Sequence, residues 1–200
     1  MTEIVLATHN AGKVAEVQSR LEGYGFVVRP LSNYDAPAPE ETGLTFVENA
    51  IIKARHACDI SGLPALSDDS GLEVDALQGA PGIYSSRYAG DSATSTANNN
   101  KLLRELKNVE KDKRTARFQC VIVFMRHAQD PTPIICQAHW SGLILEAPRG
   151  EQGFGYDPIF FLPDRQCSAA ELPPEVKKQI SHRGQALTQL AQKLSNIREK

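Results

Sequence analysis

The sequence has neither a long apolar segment nor a large surplus of charge of one sign. No stretch approaches the roughly 18 apolar residues that cross a membrane, and residues 4–7 read as a strand rather than as part of a secretory signal. The formal net charge is −2, so no basic surplus points to nucleic acid. We therefore expect a cytoplasmic protein that binds neither membranes nor nucleic acid.

Cysteine is also scarce. Cys58, Cys120, Cys136 and Cys167 are widely separated, and no CxxC pair occurs. This spacing predicts reduced thiols that mostly serve packing, and it argues against a zinc site.

The remaining composition is that of an ordinary globular protein, with 41% hydrophobic and 23% charged residues. A chain of 200 residues suits one domain over residues 1–200, compact or with two lobes. Helices are expected early and late, and strands in the middle, which predicts a mixed α/β fold. We expect a turn at residues 68–71 between two short strands, and a second break at Ser141-Gly142 between strands at 134–139 and 143–145.

Two adjacent carboxylates, Asp68 and Asp69, follow a short apolar strand and precede Ser70-Gly71. Carboxylates at a strand end are suited to Mg²⁺, which prefers hard oxygen ligands. Neighbouring side chains of a strand face opposite ways, so both would reach one ion only if the chain turns there. The alternative is a cluster of polar side chains that closes a hairpin turn.

A polar segment, residues 8–13, joins the first strand to the first helix and contains Thr8, Asn10 and Lys13. A helix N-terminus offers free N–H groups to a phosphate. The alternative is an Asn N-cap beside a solvated lysine.

Three further segments carry candidate side chains. Glu40-Glu41 lies in a proline-rich loop and either completes a metal site or is solvated. In residues 153–158, glycines flank Phe154 and leave its ring open for stacking on a base, unless the ring packs into the core. Ser181-His182-Arg183, which we place just upstream of the last helix, offers donors for a carbonyl oxygen, or else its side chains face solvent.

The set of motifs, in this order along the chain, resembles the inosine/xanthosine triphosphate pyrophosphatase family over about residues 2–195. The segments that carry the resemblance are Thr8-x-Asn10-x-x-Lys13, Glu41-Thr42-Gly43, Ser67-Asp68-Asp69-Ser70-Gly71, Gly79-Ala80-Pro81-Gly82, Gly153-Phe154-Gly155-Tyr156-Asp157-Pro158 and Ser181-His182-Arg183.

The resemblance implies a two-lobed α/β fold with a long curved mixed β-sheet flanked by helices, and an active site in the cleft between the lobes. It also implies Mg²⁺ dependence and a homodimer. The implied reaction cleaves ITP, dITP or XTP between the α- and β-phosphates, which releases the monophosphate and pyrophosphate.

Carried over by position, the resemblance makes Asp69 the general base or the acid that organises the metal, with Glu41, Asp69 and Asp68 as the metal carboxylates. The substrate-binding residues that it implies are Thr8, His9, Asn10, Ala11, Gly12, Lys13, Lys53, Ser70, Phe154, Gly155, Tyr156, Asp157, Lys177, His182 and Arg183. Two alternatives remain: a related pyrophosphatase for other modified nucleotides, and a non-catalytic nucleotide sensor.

Overall fold

The computed structural model describes residues 2–8 and 11–198. Its strands are β1 (Thr2–Leu6), β2 (Phe26–Pro30), β3 (Ala65–Val74), β4 (Thr115–Met125), β5 (Ile134–Ile144), β6 (Phe160–Leu162) and β7 (Cys167–Ser168). Its α-helices are α1 (Ala11–Leu21), α2 (Phe46–Ser61), α3 (Ser95–Glu105), α4 (Pro174–Ile180) and α5 (His182–Arg198). None of these helices is long and apolar enough to cross a membrane within the described residues.

The strands form a sheet in the order β2-β1-β3-β4-β5-β6-β7. β1 pairs in parallel with β2 and β3, whereas β6 pairs antiparallel with β5 and β7. The sheet is therefore mixed, as the resemblance implies.

The chain divides into two structural units. The first contains Met1–Asp69, Cys120–Ala138 and Gln185–Lys200, and the second contains Ser70–Gln119 and His139–Gly184.

The core of the first unit follows from the alternation of side chains along a strand. Ile4 and Leu6 of β1 pack with apolar residues of α1 and α5, such as Val17 and Leu187. Val5, which points to the other face of β1, packs against the alanines of α2. Helices thus cover both faces of the strands in this unit.

The second unit has its own core. Leu102 and Leu106, at the end of α3, pack with Phe118 of β4, Trp140 of β5 and Phe160 of β6. Trp140 is 8% exposed and belongs to this core.

Two predicted breaks in the strands were wrong. β3 runs without interruption from Ala65 to Val74, so Asp68 to Gly71 form part of a strand and do not form a turn. β5 likewise continues through Ser141-Gly142. A Cβ at Gly142 would lie 2.5 Å from the Phe161 carbonyl oxygen and 2.7 Å from the Phe160 ring. This glycine therefore permits close packing inside the strand, and it does not end the strand.

Candidate active site

The two aspartates of β3 each pair with a lysine from a different helix. Asp68 accepts a hydrogen bond from Lys13 Nζ of α1 at 2.7 Å, and Asp69 accepts one from Lys53 Nζ of α2 at 2.6 Å. Because β3 does not turn here, the two adjacent side chains point to opposite faces of the strand. The two carboxylates therefore belong to different ion pairs.

Lys53 joins two carboxylates. Its ammonium group also donates to Glu41 Oε1 at 3.3 Å, and the side chains of Lys53 and Asp69 are only 13% and 11% exposed. The resemblance implied Lys53 as a substrate-binding residue, and the structure places it between Glu41 and Asp69.

The second oxygen of Asp69, Oδ2, is buried and has no hydrogen-bond partner among residues 2–8 and 11–198. A buried carboxylate oxygen without a donor is costly. The neighbouring carboxylates increase that cost, so this oxygen is suited to a cation.

Burial and charge shift the pKa values of this pair. Burial raises the pKa of Asp69, and the nearby charges of Glu41 and Asp68 raise it further against the opposing attraction of Lys53. Burial alone would lower the pKa of Lys53, but the charge of Asp69, its hydrogen bond, and the charges of Glu41 and Asp68 together raise it. At neutral pH the ammonium group of Lys53 is therefore retained.

The described part of the chain contains no group of three or more His, Cys, Asp and Glu side chains arranged to hold a metal ion. Glu41, Asp68 and Asp69, which the resemblance implied as metal carboxylates, are instead paired with the two lysines.

The loop that carries Glu41 is fixed by a residue that the sequence analysis missed. Asn49 of α2 is fully buried, and its Oδ1 accepts the N–H of Gly43 at 2.8 Å. Asn49 lies four residues before Lys53, so both are on the same face of the helix. A polar residue within the buried stripe of a predicted helix is the signal that could have identified it.

Of the predicted phosphate segment, Thr8 follows β1, and Ala11 to Lys13 form the first turn of α1. His9 and Asn10 lie outside the described residues, and only the backbone of Ala11 and Gly12 is described. Thr8 is half-buried, and its N–H donates to the Leu6 carbonyl at 2.7 Å. Lys13 lies in the first turn of α1, where the helix dipole disfavours a cation, and the ion pair with Asp68 offsets this effect.

The loop of residues 153–158, called the aromatic loop below, lies in the second unit. Gly153 and Gly155 have positive φ angles of 82° and 60°, and Phe154 between them is 63% exposed. Its ring is therefore open, and the alternative that it packs into the core was wrong. A Cβ at Gly153 would lie 2.2 Å from Asp157 Oδ2, so glycine at this position lets Asp157 accept the Phe154 N–H at 2.6 Å.

Two cations lie near the Phe154 ring. Lys177 of α4 forms an ion pair with Asp157, and its Nζ is 4.9 Å from the ring centroid. The guanidinium carbon of Arg183 is 5.8 Å from the same centroid. The structure thus brings together Phe154, Asp157, Lys177 and Arg183, four of the residues implied by the resemblance.

His182 and Arg183 form the first turn of α5, so their predicted position upstream of this helix was wrong. Both are buried, at 7% and 6% exposure, which rules out solvent-facing side chains. The His182 ring stacks on Phe118 with 4.8 Å between centroids. A Cβ at Gly184 would lie 1.9 Å from the Lys178 carbonyl oxygen, so α5 begins against α4 only with glycine there.

Tyr156 and Ser70 have different surroundings. The Tyr156 hydroxyl is buried and donates to the Ser85 carbonyl at 2.8 Å, so it holds the loop to the core. Ser70 is half-buried within β3.

Asn99 of α3 is a second residue of the site that the sequence did not indicate. Its side chain donates to the Gly155 carbonyl at 3.1 Å.

The fold and the two clusters define an α/β protein with two features. One is a charged cluster of carboxylates and lysines, formed by Lys13, Glu41, Lys53, Asp68 and Asp69. The other is the exposed aromatic ring of Phe154, which is flanked by cations. The sequence matches the family model described as the Ham1 family over residues 4–193, and the chain belongs to this family. The predicted resemblance is thereby confirmed.

Similar proteins include a curated dITP/XTP pyrophosphatase of Vibrio cholerae, 59% identical over 95% of this chain and 95% of that protein. A HAM1 protein from Coxiella burnetii has a solved structure with 52% identity and a TM-score of 0.94, covering 98% of this chain and 100% of that one. A structure from Mycobacterium abscessus, titled nucleoside-triphosphatase / dITP/XTP pyrophosphatase, is 37% identical with a TM-score of 0.79. It covers 94% of this chain and 97% of that one.

Proposed function

We propose that this chain hydrolyses the deaminated purine nucleotides ITP, dITP and XTP to the monophosphate and pyrophosphate, as one catalytic domain over residues 1–200. The observation that carries the proposal is the buried cluster of Asp69, Lys53 and Glu41 with its unpaired Asp69 oxygen. This cluster occurs in a member of the Ham1 family that is 59% identical to a dITP/XTP pyrophosphatase.

Mg²⁺ is the proposed cofactor. Asp69 Oδ2 and the carboxylate of Glu41 are hard oxygen ligands of the kind that Mg²⁺ prefers. Asp68 points to the opposite face of β3 and pairs with Lys13, so we do not propose it as a ligand of this ion. When bound, Mg²⁺ supplies positive charge that stabilises the phosphate oxygens and the pyrophosphate leaving group.

The residues of the first unit bind the triphosphate and handle the proton. Lys13 and Lys53 already carry the positive charge that phosphate requires, and they exchange their carboxylate partners for phosphate oxygens when substrate binds. The N–H groups at the start of α1 hold a phosphate at the positive end of the helix dipole. Asp69 accepts the proton of the attacking water.

The residues of the second unit select the base. Phe154 stacks on the purine ring, and Lys177 and Asp157 keep the ring and its loop in place. His182 and Arg183 donate hydrogen bonds to the 6-oxo group of hypoxanthine or xanthine. The 6-amino group of adenine would leave these donors unpaired, which disfavours ATP.

A single assay tests this function. The protein is incubated with Mg²⁺ and ITP, XTP, dITP, ATP, GTP or dTTP, and pyrophosphate and orthophosphate are measured separately. We expect pyrophosphate as the direct product, with ITP, XTP and dITP cleaved faster than ATP. Direct release of orthophosphate, or equal rates on ATP and ITP, would contradict the proposal. Binding without turnover would indicate a sensor, and a preference for another modified base would indicate the related pyrophosphatase.

We also propose that the enzyme is a homodimer that acts in the cytoplasm, where its nucleotide substrates arise. The resemblance supports the dimer. Light scattering of the purified protein is expected to give twice the 21.9 kDa chain mass, and a monomer mass would contradict it.

A further inference from the structure

Three consecutive asparagines on α3 have different surroundings. Asn98 accepts the Ala89 N–H and donates to the Ser86 carbonyl, and Asn100 is exposed. Asn99 is 7% exposed and donates its Nδ2 to the Gly155 carbonyl oxygen at 3.1 Å. Asn99 thus connects α3 to the aromatic loop.

The other polar atom of this side chain is unsatisfied. Asn99 Oδ1 is buried and has no hydrogen-bond partner within the part of the chain that the structure describes. The Gly155 carbonyl can only accept, so the amide must face it with nitrogen, which leaves the oxygen unpaired. A buried unpaired acceptor costs stability, whereas a leucine of similar size would avoid that cost. Packing therefore does not explain asparagine at this position, and the bond to Gly155 does.

This bond has a consequence for Phe154. The exposed ring is not buried in a core. Lys177 and Arg183 lie near its face, and its direction also depends on the backbone that carries it. Asp157 holds the peptide N–H of Phe154 at 2.6 Å, and Asn99 holds the carbonyl of the following residue. Both adjacent glycines have positive φ angles, and glycine backbone is unusually free to rotate. The two bonds, one on each side of Phe154, limit that freedom.

We propose that Asn99 is a positioning residue that orients Phe154 for stacking on the purine base and thereby sets the affinity for the base end of the substrate. This inference rests on the proposed function, because it assigns Phe154 to the base. Asn99 acts through the Gly155 carbonyl and does not itself take part in the reaction.

Two variants separate the bond from the packing. Asn99→Leu removes both the donor and the unpaired acceptor, and Asn99→Asp removes the donor but keeps an acceptor and adds charge. We expect both to raise KM for ITP about fivefold, as for the loss of one hydrogen bond, with kcat changed less than about twofold. The exposed neighbour provides the matched control, because Asn100→Leu is expected to leave KM and kcat unchanged. Thermal unfolding is expected to be unchanged or raised for Asn99→Leu and lowered for Asn99→Asp.

Two ligands locate the effect at the base. Calorimetry with inosine monophosphate, which needs no turnover, is expected to show about fivefold weaker binding by Asn99→Leu. Inhibition by inorganic tripolyphosphate, which has no base, is expected to be unchanged. Equal weakening for both ligands, or unchanged binding of inosine monophosphate, would overturn the proposal. If the wild-type protein binds inosine monophosphate but does not hydrolyse ITP, the proposed function is wrong. The comparison of inosine monophosphate with tripolyphosphate would still test the role of Asn99.

A double-mutant cycle with Phe154→Ala provides the decisive test. If Asn99 acts through the aromatic ring, Asn99→Leu has no further effect on inosine monophosphate binding once Phe154 is alanine. If the fivefold loss persists in the Phe154→Ala background, Asn99 does not act through Phe154 and the proposal is wrong.

Discussion

In the first unit the candidate side chains are held by charge, since Lys13 pairs with Asp68 and Lys53 pairs with Asp69 and Glu41. In the second unit Lys177 pairs with Asp157, but other contacts come from packing and from backbone hydrogen bonds, as in the stacking of His182 on Phe118 and the bond from the Phe154 N–H to Asp157. Ion pairs exchange partners when a ligand brings opposite charge, whereas a packed pocket keeps its shape. We infer that the first cluster rearranges when triphosphate and cation bind, and that the second is preformed for the base.

The largest expected effect is on chemistry in the charged cluster. Asp69→Asn keeps the size of the side chain but cannot accept a proton, so we expect kcat for ITP to fall about 10²- to 10⁴-fold in pyrophosphate release. The matched variant Asp68→Asn loses only a partly exposed ion pair, and we expect a loss of about fivefold. A wild-type rate for Asp69→Asn would remove Asp69 from the mechanism.

The next prediction tests whether the cluster of the second unit is preformed to bind the base. Phe154→Ala removes a stacking surface worth about 1–3 kcal/mol, so KM for ITP is expected to rise about 10- to 100-fold with little change in kcat. Because the ring is 63% exposed, the melting temperature should not change. Tyr84→Ala, at 52% exposure in the same unit, is the control. Equal KM changes in the two variants would show that Phe154 has no special role.

The start of α5 tests whether packing holds the second cluster. Gly184→Ala forces a Cβ to within 1.9 Å of the Lys178 carbonyl oxygen, and overpacking of this kind costs about 1–3 kcal/mol. Gly23→Ala meets no atom within 4 Å and is expected to be tolerated. Urea unfolding measures both variants, and equal stability would show that α4 and α5 separate at little cost.

The sequence predicted the mixed α/β class, because hydrophobic periodicity and local capping are short-range signals. The start of α2 is an example, since Thr45-x-x-Glu48 has the spacing of a capping box, and Thr45 accepts the Glu48 N–H at 3.3 Å. Strand continuity could not be predicted in the same way. Gly71 and Gly142 read as breaks, but whether a strand continues depends on its neighbours in the sheet, and Gly142 is required by contact with Phe160 and Phe161.

The sequence also could not predict which side chains the site residues pair with. Lys13 and Asp68 are 55 residues apart, and no local pattern indicates which lysine pairs with which aspartate. Asn49 and Asn99 were missed for a related reason, because their importance depends on burial and on loops that fold back onto α2 and α3. The resemblance supplied the roles of the motif residues, but it did not indicate what holds them.

The smallest expected effect is a pH dependence of stability that belongs to the charged cluster. Burial and the neighbouring carboxylates raise the pKa of Asp69 above the value of about 3.9 for an unfolded chain. The native state therefore binds the proton more tightly than the unfolded state does. The free energy of unfolding should fall as pH rises from about 3.9 through the native pKa, by less than about 1.4 kcal/mol for each pH unit.

This dependence is measured by urea unfolding between about pH 4 and pH 7 in the presence of a chelator. The wild-type curve is compared with that of Asp69→Asn, which cannot titrate at this position. We expect the wild-type free energy of unfolding to decrease with pH relative to the variant, and added Mg²⁺ to remove the difference by favouring the charged carboxylate. A difference that is flat, or that rises with pH, would mean that Lys53 outweighs burial at Asp69. In that case the ion pair with Lys53 would already stabilise the charged form of Asp69 without a bound cation.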